Sequence, residues 1–404
     1  MLSTVSDDCA RSLGRFRLQC RTYGDGSYLL GMRYAEHMRD AIVFSTWSWD
    51  MFNVPERLAL AVAMRGARVL YCEMPASRFK KKGGSIGEIA KGIHGFRPEY
   101  WGAKLNLFSP ARNTQWRMVA QQVLRQANEL GLKNPIFICS HISTVEPLCE
   151  AMKKHGLPLV HVCMDYPEPY QYAQIEMADR VLVIPKTVAF KLKARYGEKI
   201  VTIPQFYHAA HNGFHNVANG DVIPAELAQL KARGHALLGY LGPLHGRVSA
   251  SLLTQLLRSR PNWQFVCFGG AARLGVENAR DLPWASAAQL PSYTAAFDAG
   301  LMPYDCFDER NLHCSPLKIF DYFSLGMPVV STPVLSLRDF RDLVYVGETA
   351  GELASAVENA LNEPKDSDKR QRRIEIARSH TTEALGPTLE QILSFPDRRS
   401  HSIA

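Results

Sequence analysis

Long apolar runs are absent from this sequence. Its apolar runs are short, such as Ala41–Phe44 and residues 181–184, which have only the length of a strand, whereas a helix needs about 20 apolar residues to cross a bilayer. The chain also opens without the basic, apolar and small-residue pattern of a secretory signal. These absences predict a cytoplasmic protein without a membrane-spanning helix.

Paired cysteines and paired carboxylates are scarce as well. The nine cysteines include no Cys-x-x-Cys pair and lie in or beside apolar segments, as reduced core cysteines of a cytosolic protein do. No zinc-finger spacing or aromatic RNA-binding motif is present, so we expect no nucleic acid partner. No Asp-x-Asp pair stands in a loop suited to a divalent ion, and Asp305 and Asp308 are three residues apart. We therefore expect no bound metal.

Positive charge is in excess. The chain carries 47 Lys and Arg against 39 Asp and Glu, a formal net charge of +8, which favours an anionic partner such as a nucleotide or an anionic membrane surface. Many cytosolic enzymes are equally basic without such a partner. The run Arg78-Phe79-Lys80-Lys81-Lys82 concentrates four cations beside an aromatic in the loop that we expect after the second strand. It is either a peripheral contact with the inner face of a membrane or a solvated loop.

Strand and helix patterns alternate along two segments, which predicts an α/β fold with two tandem Rossmann-like domains facing a cleft. The first domain spans residues 39–204, with strands predicted at 41–46, 68–73, 135–140, 158–164, 180–184 and 199–203. Residues 205–224 are rich in His, Asn and Gly, as an interdomain linker often is. The second domain spans 225–381, and a terminal helix at about 382–395 completes the first. Residues 1–38 lack periodicity and are interpreted as a poorly ordered extension.

One stretch of the second domain, residues 315–332, predicts a helix followed by a buried strand. Ser315 is a good N-cap, Pro316 suits the first helical position, and Gly326 suits a left-handed stop. Lys318 falls in the first turn, where a cation and the helix N-terminus together favour phosphate. Asp321 is placed to accept hydrogen bonds from sugar hydroxyls.

The residues from Pro316 to Thr332 resemble the donor-binding signature of family-4 glycosyltransferases of the GT-B type, and weaker resemblance runs from about residue 41 to residue 395. In that family a lysine or a helix N-terminus binds the nucleotide diphosphate, and an acidic residue at the position of Asp321 binds ribose. The usual second Glu, eight residues earlier, is His313 here. The resemblance implies no cofactor, a nucleotide-sugar co-substrate, and the donor-binding residues Gly242, Arg247, Gly269, His313, Ser315, Leu317, Lys318 and Asp321.

Polar and aromatic residues that follow strands of the first domain are the candidates for the acceptor side, because strand C-termini in a doubly wound sheet face the ligand crevice. The candidates for acceptor contacts are Trp47, Trp49, Asp50, His141 and Tyr166. One of the two tryptophans is expected to lie in the core instead, and His141 could equally be a capping or packing residue. Asp165 is either a base for an inverting reaction or a group that stabilises positive charge in a retaining one. Because the resembled family is mostly retaining, the second role is favoured, and Asp165 and Lys318 are the predicted catalytic pair.

These observations predict a metal-independent, retaining glycosyltransferase that moves a sugar from a nucleotide-sugar donor to a glycan or lipid-linked acceptor in polysaccharide biosynthesis. Two alternatives stay open. One is a nucleotide-sugar epimerase of the same fold. The other, suggested by His313 in place of an acid, is a catalytically inactive glycan-binding or scaffold protein.

Overall fold

The structure is a computed structural model that describes residues 39–49, 53–79, 83–102, 110–140, 145–207, 223–283, 285 and 289–395. Several predictions concern residues outside this set. They are the extension at 1–38, the acceptor contacts of Asp50 and His141, the lysines at 80–82, and residues 208–222 of the linker. In the described part of the chain, no helix is both long and apolar enough to cross a membrane.

The first domain is built on an eight-stranded sheet in the order β10-β9-β8-β7-β1-β2-β5-β4. All its described strand pairs are parallel except β4 with β5. The strands of this sheet are β1 (Ala41–Phe44), β2 (Val69–Cys72), β4 (Gly84–Ala90), β5 (Ile93–Arg97), β7 (Ile136–Cys139), β8 (Leu159–Cys163), β9 (Arg180–Val183) and β10 (Ile200–Thr202). Two further strands, β3 (Ala76–Ser77) and β6 (Glu99–Tyr100), pair with each other in a separate two-stranded sheet.

Five described helices cover the two faces of this sheet: α1 (Val54–Ala63), α2 (Pro110–Glu129), α3 (Glu146–Lys154), α4 (Gln171–Met177) and α5 (Lys186–Tyr196). Alternate residues of β1 point to opposite faces. Ile42 and Phe44 enter one buried cluster, and Ala41 and Val43 enter the other. A strand buried on both faces reads as a continuous apolar run, which is why β1 was recognisable from sequence.

Our prediction for the segment after β2 was wrong. We predicted one long loop there, but β4 and β5 form an antiparallel hairpin, and β5 pairs parallel to β2. Gly84, Gly87 and Gly92 have positive φ in this hairpin. These glycines and the exposed polar positions of β4 interrupt the apolar alternation that marks a strand in sequence.

The second domain has a six-stranded parallel sheet in the order β13-β12-β11-β14-β15-β16. Its strands are β11 (Ala236–Tyr240), β12 (Trp263–Cys267), β13 (Ala279–Asp281), β14 (Ala299–Met302), β15 (Val329–Ser331) and β16 (Val344–Val346). Its described helices are α6 (Ala225–Ala232), α7 (Ala250–Ser259), α8 (Leu290–Ala295), α9 (Glu309–Leu312), α10 (Lys318–Ser324), α11 (Ala350–Leu361) and α12 (Asp368–Ser379). Leu237 and Leu238 again face opposite buried clusters.

The last described helix, α13 (Thr382–Leu393), returns to the first domain. Leu389 and Leu393 are buried in the same cluster as Leu58 and Val62 of α1. The N-cap Thr381 starts α13, because its side chain accepts a hydrogen bond from the backbone N–H of Ala384. The chain therefore crosses between its two α/β halves a second time.

Candidate functional site

A cleft of about 620 Å³ lies between the two sheets, where their strands end. From the first half its lining includes Trp47, Asn53, Asp165, Tyr166, Glu168 and Tyr170. From the second half it includes Tyr240, His245, Arg247, Tyr304, Arg310 and Lys318. The position is the one where doubly wound sheets usually bind ligands, outside the carboxyl ends of parallel strands.

Helix α10 begins later than we predicted. It starts at Lys318, with Leu317 in the cap position and no side-chain cap, so Ser315 is not the N-cap. The backbone oxygen of Ser315 instead accepts a hydrogen bond of 2.9 Å from Nε2 of Gln205. This tertiary contact holds Ser315 outside the helix. Gly326 does end the helix in the left-handed conformation, with φ of +67°.

Tyr322 ties α10 to the end of β11. Its hydroxyl donates to the backbone oxygen of Gly239 and accepts from the backbone N–H of Leu241, both at 3.0 Å. The ring lies against Gly300, where an added Cβ would be 2.7 Å from ring carbons. The orientation of α10 toward the cleft is therefore set by a buried hydroxyl and a glycine.

Lys318 extends from the start of α10 into the cleft. Its Nζ lies 5.0 Å from the centre of the Tyr240 ring, a distance suited to a cation–π contact. Gly242, with φ of +139°, faces the lysine, and an added Cβ would be 3.4 Å from its Cε. The burial of His245 lowers its pKa, and the charges of Lys318 and Arg247 lower it further. The lysine is the only Lys or Arg of the described cleft lining that has no carboxylate in salt-bridge contact.

Arg247 and Asp165 meet across the cleft. Nη1 and Nη2 of Arg247 donate to the two carboxylate oxygens of Asp165, at 3.2 and 2.6 Å. The hydrogen bonds to Asp165 raise the pKa of Arg247 above its ordinary value, although burial acts in the opposite direction. The predicted donor-binding arginine and the predicted catalytic carboxylate are thus direct partners.

A second ion pair lies beside the first. Arg310 donates to Glu168 of the first half at 3.1 Å, and it also binds Asp308, two residues before it. The side-chain oxygen of Gln171 accepts a hydrogen bond of 2.9 Å from the backbone N–H of Glu168, which fixes the backbone at this residue. We did not single out Glu168, Tyr170 or Arg310 from the sequence. Glu168 and Tyr170 could have been found from their position just beyond Asp165, after the end of β8.

His313 points toward the first half. Its Nδ1 lies 2.7 Å from the hydroxyl of Thr187, and its Nε2 lies 3.3 Å from Nζ of Lys191, both on α5. Its ring lies 5.6 Å from the Tyr166 ring. Burial and the neighbouring Lys191 lower the pKa of His313. His313 thus joins the two halves of the cleft, and its contact with the donor stays a prediction.

The aromatic residues after β1 separate into two environments. Trp47 lines the cleft, and its backbone oxygen accepts from the hydroxyl of Tyr71 at 3.1 Å. Trp49 instead packs in the core, edge-on to Tyr71 with 5.1 Å between ring centres. Its backbone N–H donates to buried Glu73 at 3.1 Å. The loop is therefore fixed from beneath by β2, with Trp47 on the cleft side.

Three other predicted donor residues occupy distinct positions. Leu317 lines the cleft beside Ser315. Gly269 supports the loop after β11 from behind, since its oxygen accepts the N–H of Leu244 at 2.8 Å. Asp321 is not among the described residues of the lining. Burial lowers the pKa of Arg57 to about 10, and the negative charge of Asp321 acts in the opposite direction. The proposed bond from Asp321 to ribose stays a prediction.

Groups of three or more His, Cys, Asp or Glu side chains suited to a metal do not occur among the residues that the structure describes. The described cleft lining holds three Lys or Arg and three Asp or Glu side chains.

The architecture defines the class of this protein: two Rossmann-like halves facing a cleft constitute the GT-B fold. Many solved structures share it. A structure from E. coli, named for trehalose-6-phosphate and bound with UDP-2-fluoro glucose, has a TM-score of 0.66 at 12% identity and covers 89% of this chain and 100% of its own. Sucrose-phosphate synthase from Thermosynechococcus elongatus has a TM-score of 0.64 at 12% identity, and the match covers 88% of this chain and 98% of that one. A trehalose-phosphate synthase from Burkholderia xenovorans in complex with glucose-6-phosphate has a TM-score of 0.66 at 10% identity, and the match covers 88% of this chain and 99% of that one.

A curated sequence relative is more specific. The chain is 25% identical over 186 residues to a putative teichuronic acid biosynthesis glycosyltransferase, TuaH, of Bacillus subtilis strain 168. The match covers 43% of this chain and 46% of that protein, so the chain spans about half the length of this relative. No protein-family profile matches the chain.

Proposed function

We propose that this protein is a glycosyltransferase that moves a sugar from a nucleotide-sugar donor to a glycan or lipid-linked acceptor. The relationship to TuaH and the GT-B fold support the reaction class. The observation that carries the proposal is Lys318, a cation without a carboxylate partner among the described residues of the cleft, at the start of α10.

The donor half of the cleft is suited to a diphosphate leaving group. Breaking the glycosidic bond leaves negative charge on the diphosphate, and preorganised cations stabilise that charge in the transition state. Lys318 supplies one of them. Arg247 supplies a second when the diphosphate replaces Asp165 as its partner. Because α10 has only seven residues, we assign the charge stabilisation to these side chains and not to the helix N-terminus.

Asp165 then acts on the sugar side. A carboxylate released from Arg247 lies where positive charge develops at the anomeric carbon, or where an acceptor hydroxyl approaches it. We propose the first role and a retaining outcome, without a metal or a cofactor. The pairing of Asp165 with Arg247 supports this assignment, because it places the carboxylate next to the proposed diphosphate site.

A peripheral membrane contact is part of the proposal. Phe79 and Trp101 are 69% and 52% exposed, and their rings meet edge-on at 5.9 Å. The guanidinium of Arg78 lies 4.7 Å from the centre of the Trp101 ring. Exposed aromatics and a cation, next in sequence to three lysines, match the chemistry of an anionic membrane interface. We propose that this surface faces the inner side of the cytoplasmic membrane.

The test is a thermal-shift and calorimetry panel of nucleoside diphosphates and nucleotide sugars. We expect at least one to stabilise the full chain, because a ligand of the native state raises Tm by mass action. Lys318→Ala should weaken the best nucleoside diphosphate about ten- to a hundredfold, the value of one charge-assisted contact. Lys154→Ala, at an exposed helix end, is the matched control.

Failure of every nucleotide to bind would contradict the proposal. Binding without transfer or hydrolysis would favour a scaffold role. Conversion of the free nucleotide sugar to its epimer, without acceptor, would favour an epimerase.

A further inference from the structure

We propose that the accepting sugar unit is uncharged and that the cleft rejects acceptors with a phosphate on this unit. The inference rests on the proposed function, because it concerns the acceptor side of the same cleft. It is carried by the distribution of charge between the two halves of the cleft.

In the part that the structure describes, the acceptor half of the cleft lining offers no cation to a phosphate. Among the described lining residues from the first half, Asp165 and Glu168 are the charged side chains, and both are acidic. The others are polar or aromatic, except for the apolar Val54 and Met164. A sugar phosphate that entered from this side would place its dianion against two carboxylates.

The cations of the other half are already engaged. Arg247 is bound by Asp165, and Arg310 by Asp308 and Glu168. Lys318 is assigned to the donor diphosphate. The three cations and three carboxylates of the described lining balance, so a bound diphosphate leaves the cleft with excess negative charge. A second phosphate is then opposed by the donor as well as by Asp165 and Glu168.

The same surface suits sugar hydroxyls. Asn53 and Gln171 offer amide groups, and Tyr170, with 36% of its surface exposed, offers an aromatic ring beside Glu168. Carboxylates accept hydrogen bonds from hydroxyl groups, and aromatic rings pack on the apolar faces of sugars. This chemistry recognises a neutral glycan end. A lipid-linked acceptor would fit when its phosphate is separated from the accepting unit by at least one sugar.

The test uses glucose 6-phosphate as the probe. Its binding to the full chain is followed by ³¹P line broadening, with and without the nucleoside diphosphate that binds best. We expect the parent to bind it no more tightly than about 10 mM, the range of non-specific contact. Glu168→Lys places a cation in the acceptor half and should strengthen binding about tenfold or more. Glu168→Gln should give a smaller gain.

Glu176→Lys is the matched control, because it makes the same charge change on an exposed residue of α4 outside the described lining. Submillimolar binding by the parent would overturn the inference. So would an absence of gain in both Glu168 variants, or an equal gain in Glu176→Lys. Failure of all nucleotides to bind would count against the proposed function alone, since the measurements without nucleotide still report on the acceptor half.

Discussion

Asp165 and Arg247 are joined by two hydrogen bonds across the cleft, although they lie 82 residues apart in the chain. The sequence predicted one as an acceptor-side residue and the other as a donor-side residue. Their side chains are 37% and 40% exposed, so solvent screens the pair and a diphosphate can compete for Arg247. Under the proposed function, donor binding and release of Asp165 are therefore linked.

Replacing Asp165 by Asn should separate chemistry from donor binding. The change keeps the shape of the side chain and removes its charge. Turnover should fall by two or more orders of magnitude, roughly the loss of about 3 kcal/mol of transition-state stabilisation. Nucleoside diphosphate affinity should stay equal or rise severalfold, because Arg247 is freed. Steady-state kinetics and calorimetry measure the two effects, and an affinity loss as large as that of Lys318→Ala would contradict the assigned roles.

Removal of metal ions should leave transfer unchanged. Leaving-group charge is assigned to Lys318 and Arg247, so excess EDTA should not lower the initial rate of sugar transfer. The control is addition of Mg²⁺ or Mn²⁺ after chelation. A rate that falls with EDTA and recovers with either ion would show that a metal takes part.

The proposed membrane surface predicts charge-dependent binding to vesicles. Changing Lys80, Lys81 and Lys82 together to Glu should abolish most binding to phosphatidylcholine vesicles with phosphatidylserine, since each cation near such a surface contributes about 1 kcal/mol. Binding is measured by co-sedimentation at low salt. Turnover of a soluble acceptor should stay at the parent rate. Equal sedimentation of parent and variant would eliminate this surface as the contact.

Buried Glu56 predicts pH-dependent stability. Burial raises its pKa to about 7, although a hydrogen bond from Tyr71 acts in the opposite direction. Between its unfolded pKa, near 4.5, and pH 7, the unfolded chain ionises while the folded chain stays protonated, so stability falls as pH rises. Glu56→Gln should remove this loss of up to about 3 kcal/mol. Its Tm should exceed that of the parent at pH 8 and match it near pH 4.5.

The exposed Glu150→Gln serves as the control for loss of one carboxylate. A Glu56→Gln difference in Tm that is the same at both pH values would show that Glu56 does not titrate in this range.

Arg373 should be essential to stability. Its side chain is fully buried, binds Glu363 through two contacts of 2.7 Å, and donates to the backbone oxygens of Leu343 and Gly326. It thus connects α12 to the end of α10. Arg373→Met leaves Glu363 buried without its cation and should cost about 3–5 kcal/mol. Urea unfolding measures the change, and exposed Arg372→Met, with an expected effect below about 0.5 kcal/mol, is the control.

Local pattern was enough to predict the alternation of strands and helices, the two tandem Rossmann-like domains and the stop of α10 at Gly326. The GT-B class was implied by the resemblance of the residues from Pro316 to Thr332. Apolar runs such as β1 and the different hydrophobic periodicities of strands and helices are properties of a few neighbouring residues, so they are visible in the sequence. Lys318 was also singled out from the sequence, because its position at the start of a helix with an apolar face is a local property.

The tertiary structure decided which side chains meet. Ser315 was a good N-cap by residue type, yet Gln205, in the linker between the two halves, binds its carbonyl outside α10. The contact of His313 with Thr187 on α5 is another that no spacing predicts. The pairing of Asp165 with Arg247 depends, in the same way, on how two separately folded sheets pack together. Contacts across a cleft are set by that packing, and no spacing within either segment records it.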